Sequence, residues 1–84
     1  MPTSKVRVKG YRFIFYSSDE GEPQHIHVKE GQKHAKFWLA PEVKLAKNYQ
    51  GSFREHELNE LYDIIEEHVE TFRGEWDDDF GSTA

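Results

Sequence analysis

Two segments of alternating character, residues 24–30 and 33–39, flank the dipeptide Gly31-Gln32, and this arrangement constrains the fold more than any other sequence feature. Glycine at the first position of a two-residue loop favours a type II′ turn between antiparallel strands. The apolar cross-strand pairs that result are Ile26 with Phe37 and Val28 with Ala35. A shift of one residue would set apolar side chains opposite polar ones, so the pattern predicts a β-hairpin with a single register.

The sequence on either side of the hairpin predicts the rest of a small sheet. Residues 5–16 alternate like a strand, but the apolar phase changes at Gly10, which indicates a bulge or a break. Pro41 ends the second hairpin strand, and residues 42–46 form either a short edge strand or an irregular crossing. We therefore expect an antiparallel meander of three or four strands over residues 5–47.

A long amphipathic helix is predicted to follow, over residues 52–80. Ser52 and Glu55 have the spacing of a capping box, in which the serine side chain starts the helix. Apolar residues then recur every three or four positions, as one helix face requires. The residues of this face are Leu58, Leu61, Tyr62, Ile65, Val69, Phe72, Trp76 and Phe80. Only Gly74 weakens the pattern, and residues 81–84 are expected to form a frayed tail.

The chain has the size of one domain, and 84 residues can bury only a small core. Aromatic residues make up 14% of the chain, against 36% for all hydrophobic residues, so large rings must supply much of that core. We expect an α+β fold in which the helix covers one face of the antiparallel sheet and leaves the other face open.

Composition excludes several classes of protein. The absence of cysteine excludes disulfide scaffolds, thiolate metal sites and cysteine nucleophiles. No apolar stretch is long enough to span a membrane, and no apolar segment near the N-terminus resembles a secretory signal. We therefore expect a cytoplasmic protein that does not contact membranes.

Charge is divided unequally along the chain. Residues 1–50 contain nine Lys or Arg and five Asp or Glu, which gives a net charge of +4. Residues 51–84 contain two Arg and eleven Asp or Glu, which gives a net charge of −9. Such asymmetry favours charged partners or self-association between opposite surfaces. Acidic helix surfaces are also a common means of keeping a small protein soluble, and this simpler explanation stays open.

The hairpin register places five polar or aromatic side chains on the face opposite the core. The polar patch, as we term it, consists of His25, His27, His34, Lys36 and Trp38. His-x-His on a strand points both imidazoles the same way, so His25, His27 and His34 are the candidate metal ligands. Because Lys29 and Lys36 stand beside them and repel a dication, we expect neither a bound metal nor another cofactor.

Three other interpretations of the polar patch are open. Histidine titrates near neutral pH and can serve acid–base catalysis, but no carboxylate at a defined spacing and no obvious nucleophile accompany these histidines. Lysine beside tryptophan also suits phosphate, nucleic acid or an acidic protein, although the net charge of −5 disfavours strong nucleic-acid binding by a monomer. The simplest alternative is a solvated strand face without a ligand.

Several segments of the chain resemble a known family. They are Gly10-Tyr11-Arg12-Phe13-Ile14-Phe15-Tyr16-Ser17, Gly21-Glu22-Pro23-Gln24-His25-Ile26-His27-Val28, Ala35-Lys36-Phe37-Trp38-Leu39, and Ser52-x-x-Glu55-x-x-Leu58 with Trp76. Over residues 10–80 the chain resembles the domain-of-unknown-function family 4160, an uncharacterised bacterial family, with Gln24 where a proline is expected. The resemblance implies a small prokaryotic protein. Such proteins are often encoded beside another small protein, as in a toxin–antitoxin or regulatory pair. It implies no catalytic residue.

We therefore expect a small binding or regulatory module, one member of a toxin–antitoxin-like two-protein system, rather than an enzyme. The expected partner is another protein, or a second copy in a homodimer, bound at the polar patch, and nucleic acid is the less favoured ligand. The alternative is a metal-dependent or acid–base enzyme, for example a nuclease, that uses the clustered histidines.

Metal content gives a direct test of this alternative. Because lysines flank the histidines, purified protein without an affinity tag is expected to hold no stoichiometric zinc or nickel. Elemental analysis measures this content. One bound equivalent that disappears in His25→Ala and His27→Ala would contradict the expectation and support the enzyme.

Overall fold

A computed structural model describes residues 3–16 and 21–80 of the chain. Its four strands form one antiparallel sheet in the order β1-β2-β3-β4, so the predicted meander is confirmed. The elements are β1 Arg12–Ile14, β2 His25–Glu30, β3 Lys33–Trp38, β4 Lys44–Asn48, a 3-10 turn Tyr49–Gly51, α1 Glu55–Glu67 and α2 Val69–Phe80. The fold is therefore α+β, and the predicted frayed tail at 81–84 lies outside the described residues.

The β2–β3 hairpin has the predicted register. Ile26 lies opposite Phe37 and His27 lies opposite Lys36, and the pairing continues without interruption to both ends of the hairpin. Gly31 adopts a φ of 61° in the connecting turn, a left-handed conformation that glycine adopts without the steric cost of a side chain. The turn residue and the cross-strand pairs thus support the same register.

The N-terminal segment breaks at Gly10, one of the two possibilities that the change of apolar phase indicated. The chain reverses at Lys9 and Gly10, where the Tyr11 amide donates to the Val8 carbonyl at 3.2 Å. The Ser4 amide donates to the Phe13 carbonyl at 2.8 Å, so the chain before the reversal lies antiparallel to β1. The change of phase at Gly10 marks a tight turn rather than a bulge.

The fourth strand exists, but it spans Lys44–Asn48 rather than residues 42–46. Val43 is buried just before the strand begins. The pairing of β4 with β3 is irregular, with a shift between Lys36 and Phe37. Strand β4 therefore begins two residues later than predicted and carries a bulge within it.

The predicted single helix over residues 52–80 is wrong, because two helices meet at His68. His68 has φ −109° and ψ 15°, outside the helical region, whereas Gly74 lies within α2. The His68 amide still donates to the Ile64 carbonyl at 3.1 Å, and the Phe72 amide donates to the His68 carbonyl at 3.0 Å. These bonds keep the four-residue spacing of a helix across the joint. The apolar periodicity of the sequence is therefore not interrupted at His68, and it does not reveal that two helices meet there.

The predicted capping box of Ser52 and Glu55 is also wrong. Helix α1 begins at Glu55, and the Arg54 amide donates to the Glu57 carboxylate at 2.9 Å. The Ser52 hydroxyl instead accepts from the His34 amide at 2.9 Å and donates to the His34 carbonyl at 3.2 Å. His34 lies one residue beyond the last pair between β3 and β4, so Ser52 satisfies backbone groups that β4 does not reach.

Aromatic contacts join the sheet residues to the helices. The rings of Phe13 and Phe72 lie 5.1 Å apart, and those of Phe15 and Trp76 lie 6.1 Å apart. Buried Leu61, Ile64 and Ile65 of α1 belong to the same core cluster as the hairpin residues. In the described part of the chain, no helix is long and apolar enough to cross a membrane.

The core can be tested at the centre of the hairpin. Phe37 is 1% exposed, and Phe37→Ala is expected to lower the free energy of unfolding by about 3–5 kcal/mol, measured by chemical denaturation. Leu45 lies opposite Phe37 but is 38% exposed, so Leu45→Ala is the matched control, with an expected loss of about 1 kcal/mol or less. Equal losses in the two variants would show that Phe37 does not anchor the core.

Candidate binding face of the sheet

One face of the sheet carries an unusual concentration of cations. Residues paired across antiparallel strands point to the same side, so the register determines which side chains share a face. Ile26, Val28, Ala35 and Phe37 point into the core. The cations on the opposite face are Arg12, Lys29, Lys36, Lys44 and Lys47. The polar patch predicted from the sequence lies among them.

All five residues of the polar patch come together, but two of them are not exposed as predicted. His25 is 0% exposed and His27 is 6% exposed, whereas the other three patch residues are half-buried. The His25 ring lies 5.5 Å from Trp38 and 5.1 Å from Trp76 of α2. Its Nδ1 is 2.8 Å from the Pro23 carbonyl, which can only accept, so this nitrogen carries the proton. His25 is therefore a packed histidine rather than a solvent-facing one.

His27 and His34 form a hydrogen-bonded pair. His27 Nδ1 and His34 Nε2 are 3.0 Å apart, so one imidazole donates and the other accepts. The His27 ring also meets Tyr16 edge-on, with 4.4 Å between centroids. Because two protonated imidazoles would each present a donor to the other, this hydrogen bond requires at least one neutral ring.

His34 is held on three sides. Its ring stacks on Tyr49 with 4.0 Å between centroids and 4° between planes, and its backbone is bound to the Ser52 hydroxyl. Partial burial lowers the pKa of His34, and the positive charge of Lys29, its neighbour across the hairpin, lowers it further. Both effects favour the neutral imidazole.

Three lysines of this face lie over aromatic rings. The ammonium groups of Lys36 and Lys47 are each 4.7 Å from a ring centroid, that of Trp38 and that of Tyr49 respectively. Lys29 lies 5.8 Å from the Tyr16 centroid. These distances are within the range of cation–π attraction. We define the basic–aromatic face as these three pairs together with Arg12, Lys44, His27 and His34.

Like charges lie directly opposite each other on this face. Arg12 is paired with Lys29, and Lys36 is paired with Lys47. Directly opposed like charges destabilise a sheet. Lys36 has a carboxylate at 3.0 Å, that of Glu22, whereas no ion pair with a carboxylate is present for the other four cations of the face within residues 3–16 and 21–80. The face therefore carries excess positive charge.

The arrangement is better suited to binding anions than to holding a metal. Among the residues that the structure describes, no group of three or more His, Cys, Asp or Glu is placed to hold a metal ion. Ammonium groups over rings offer charge and flat apolar area together, a combination that recognises anionic surfaces.

The contributions of Tyr16 and Tyr49 were not predicted from the sequence. Tyr49 follows β4 in the 3-10 turn, between the sheet predicted over residues 5–47 and the helix predicted over residues 52–80. Its stacking on His34 depends on the path of the chain after β4, which strand alternation does not reveal. One signal in the sequence could have indicated Tyr49. Lys47 precedes it by two residues, and the same Lys-x-aromatic spacing occurs at Lys36 and Trp38.

The fold and this face define a small α+β protein with a basic and aromatic sheet surface. Residues 10–77 match the family described as Domain of unknown function (DUF4160). The chain belongs to this family, which confirms the resemblance found in the sequence. Neither the curated proteins nor the solved structures contain a significant match to the chain.

The pKa of His34 can be tested by titration. Because the folded state lowers this pKa below its ordinary value of 6.5, the unfolded state binds protons more readily, and stability is expected to fall as pH drops below about 6.5. NMR titration of the His34 imidazole measures the pKa directly. Lys29→Gln is expected to raise the His34 pKa only part of the way back to its ordinary value, because the effect of burial remains.

A matched comparison separates the contribution of His34 to the pH dependence of stability from that of the other histidines. Unfolding of the native protein and of His34→Gln is measured at pH 7.5 and pH 5.5. The loss of stability at the lower pH is expected to be smaller in the variant. A His34 pKa at or above 6.5 would contradict the inferred effect of burial and of Lys29.

Proposed function

We propose that this protein is a binding module that docks an acidic protein surface on its basic–aromatic face. The proposal includes a division of the sheet, with α1 and α2 covering the core face and the opposite face accessible to the partner. The observation that supports it most is the presence of two directly opposed pairs of like charges, Arg12 with Lys29 and Lys36 with Lys47. A face that carries this electrostatic cost gains stability when an anionic surface binds.

Charge favours a distinct acidic partner over a second copy of the chain. Two copies that met through their basic–aromatic faces in a symmetric dimer would bring like charges together. If the face of one copy met the acidic residues 51–84 of another, the contact would be heterologous and would continue into a ring or filament. A separate acidic protein avoids both difficulties.

The same surface supports a protein partner more than nucleic acid. Tyr49 already stacks on His34 and has Lys47 over its ring, so its faces are engaged within the protein. Base stacking on such a ring would require these contacts to be released. The net charge of −5 also repels a polyanion at long range, whereas an acidic protein has a lower charge density.

The resemblance to family 4160 supports a regulatory setting for this interaction. We propose that the acidic partner is the second protein of a toxin–antitoxin-like pair in the cytoplasm. An enzyme that uses the clustered histidines has less support, because His25 and His27 are buried against aromatic rings and offer little access to a substrate.

A photo-crosslinking experiment tests the docking surface. A photoreactive amino acid is placed at exposed Lys44 on the basic–aromatic face and, as a control, at exposed Glu66 on α1. The expected result is that position 44, and not position 66, captures one acidic protein in the cell. Capture of a second copy of the chain, or of nucleic acid, would overturn the proposal in favour of that ligand.

The purified partner then gives the quantitative test. The variant Lys44→Glu/Lys47→Glu is expected to bind about tenfold more weakly or worse, because it reverses two exposed charges on the docking face. Arg54→Glu, an exposed reversal at the start of α1, is the control and is expected to bind normally. Affinity should also decrease with added salt. Unchanged affinity in the double variant would refute docking on this face.

A further inference from the structure

A cavity of about 300 Å³ lies at the turn end of the β2–β3 hairpin, at the edge of the basic–aromatic face. The residues that line it are Lys29, Gly31, Gln32, Lys33, His34, Tyr49 and Gln50. The volume is at the lower limit of ordinary small-molecule sites. The lining shares Lys29, His34 and Tyr49 with the basic–aromatic face. Its other residues lie outside that face, so what the cavity binds is a question beyond partner docking.

The lining offers hydrogen-bonding and positively charged groups, with no carboxylate among them. Lys29 has no ion pair with any carboxylate in the described part of the chain. Lys33 contacts Glu57 at 2.6 Å and Glu30 at 3.8 Å, so its charge is partly balanced from outside the cavity. The remaining positive potential favours an anion.

One wall of the cavity is fixed before any ligand binds. His34 is stacked on Tyr49, hydrogen-bonded to His27 and held at its backbone by Ser52. Groups that are already held in place lose little conformational freedom when a ligand arrives, which strengthens binding. A rigid wall beside two lysines is a suitable arrangement for a small, highly charged anion.

We propose that this cavity binds a phosphate group, either free phosphate or the phosphate ester of a small molecule. A phosphate dianion is attracted by both Lys29 and Lys33 and can accept hydrogen bonds from the Tyr49 hydroxyl and the glutamine amides. A carboxylate carries one negative charge and two oxygens, so it gains less from the same lining. The affinity for phosphate therefore exceeds the affinity for acetate.

The test is an NMR titration of the protein at pH 7.5 and low ionic strength with three probes: inorganic phosphate, glycerol 3-phosphate and acetate. Saturable shifts confined to residues 29–34 and 49–50 are expected with at least one phosphate probe, at affinities about tenfold or more above that of acetate. The comparison of the first two probes distinguishes free phosphate from an ester. Shifts of equal size for acetate, or shifts spread over all lysines, would overturn the proposal.

Variants at the rim complete the test. Gln32 is exposed in the turn, so Gln32→Glu adds a negative charge without disturbing the core and is expected to weaken phosphate binding about tenfold or more. Gln32→Ala controls for loss of the amide and retains most of the affinity. Lys44 lies at the far end of the face, opposite Trp38. The variant Lys44→Glu is therefore expected to retain phosphate binding although it reduces partner docking. Equal phosphate affinity in Gln32→Glu and Gln32→Ala would refute the site.

Discussion

The register of the β2–β3 hairpin is the constraint on which the rest of the molecule depends. It places Ile26 and Phe37 in the core and, with the same pairing, sets His27 beside Lys36 on the opposite face. A shift of one residue would exchange the two faces, because side chains alternate along a strand. The core and the candidate binding face are therefore specified together, and neither can be changed without the other.

Charge is segregated around this hairpin rather than neutralised. The sheet face collects cations, and most carboxylates belong to the helical half of the chain. Ion pairs between the N-terminal half of the chain and the helical half, such as Lys9 with Glu60 and Lys33 with Glu57, involve partly exposed groups. Exposed ion pairs contribute little to stability. Aromatic packing, for example of Phe13 on Phe72, therefore holds the helices to the sheet while the charges remain available for other molecules.

Features set by local chemistry could be predicted from the sequence, whereas features set by distant contacts could not. The hairpin register follows from the turn at Gly31 and from pairs a few residues apart, and the structure confirms it. The burial of His25 depends on Trp76, which is 51 positions away, and the role of Ser52 depends on the backbone of His34. Single-sequence patterns carry no information about such contacts, so a plausible capping box was misleading.

Lys29 links the two proposed sites through its charge. It lies opposite Arg12 on the basic–aromatic face and also lines the cavity at the hairpin turn. A phosphate bound in the cavity would offset part of the positive potential that attracts an acidic partner. Because coupling between two binding sites is reciprocal, the bound partner would weaken the cavity's affinity for phosphate to the same degree. The proposed regulatory module could in this way respond to a small anion without any change of fold.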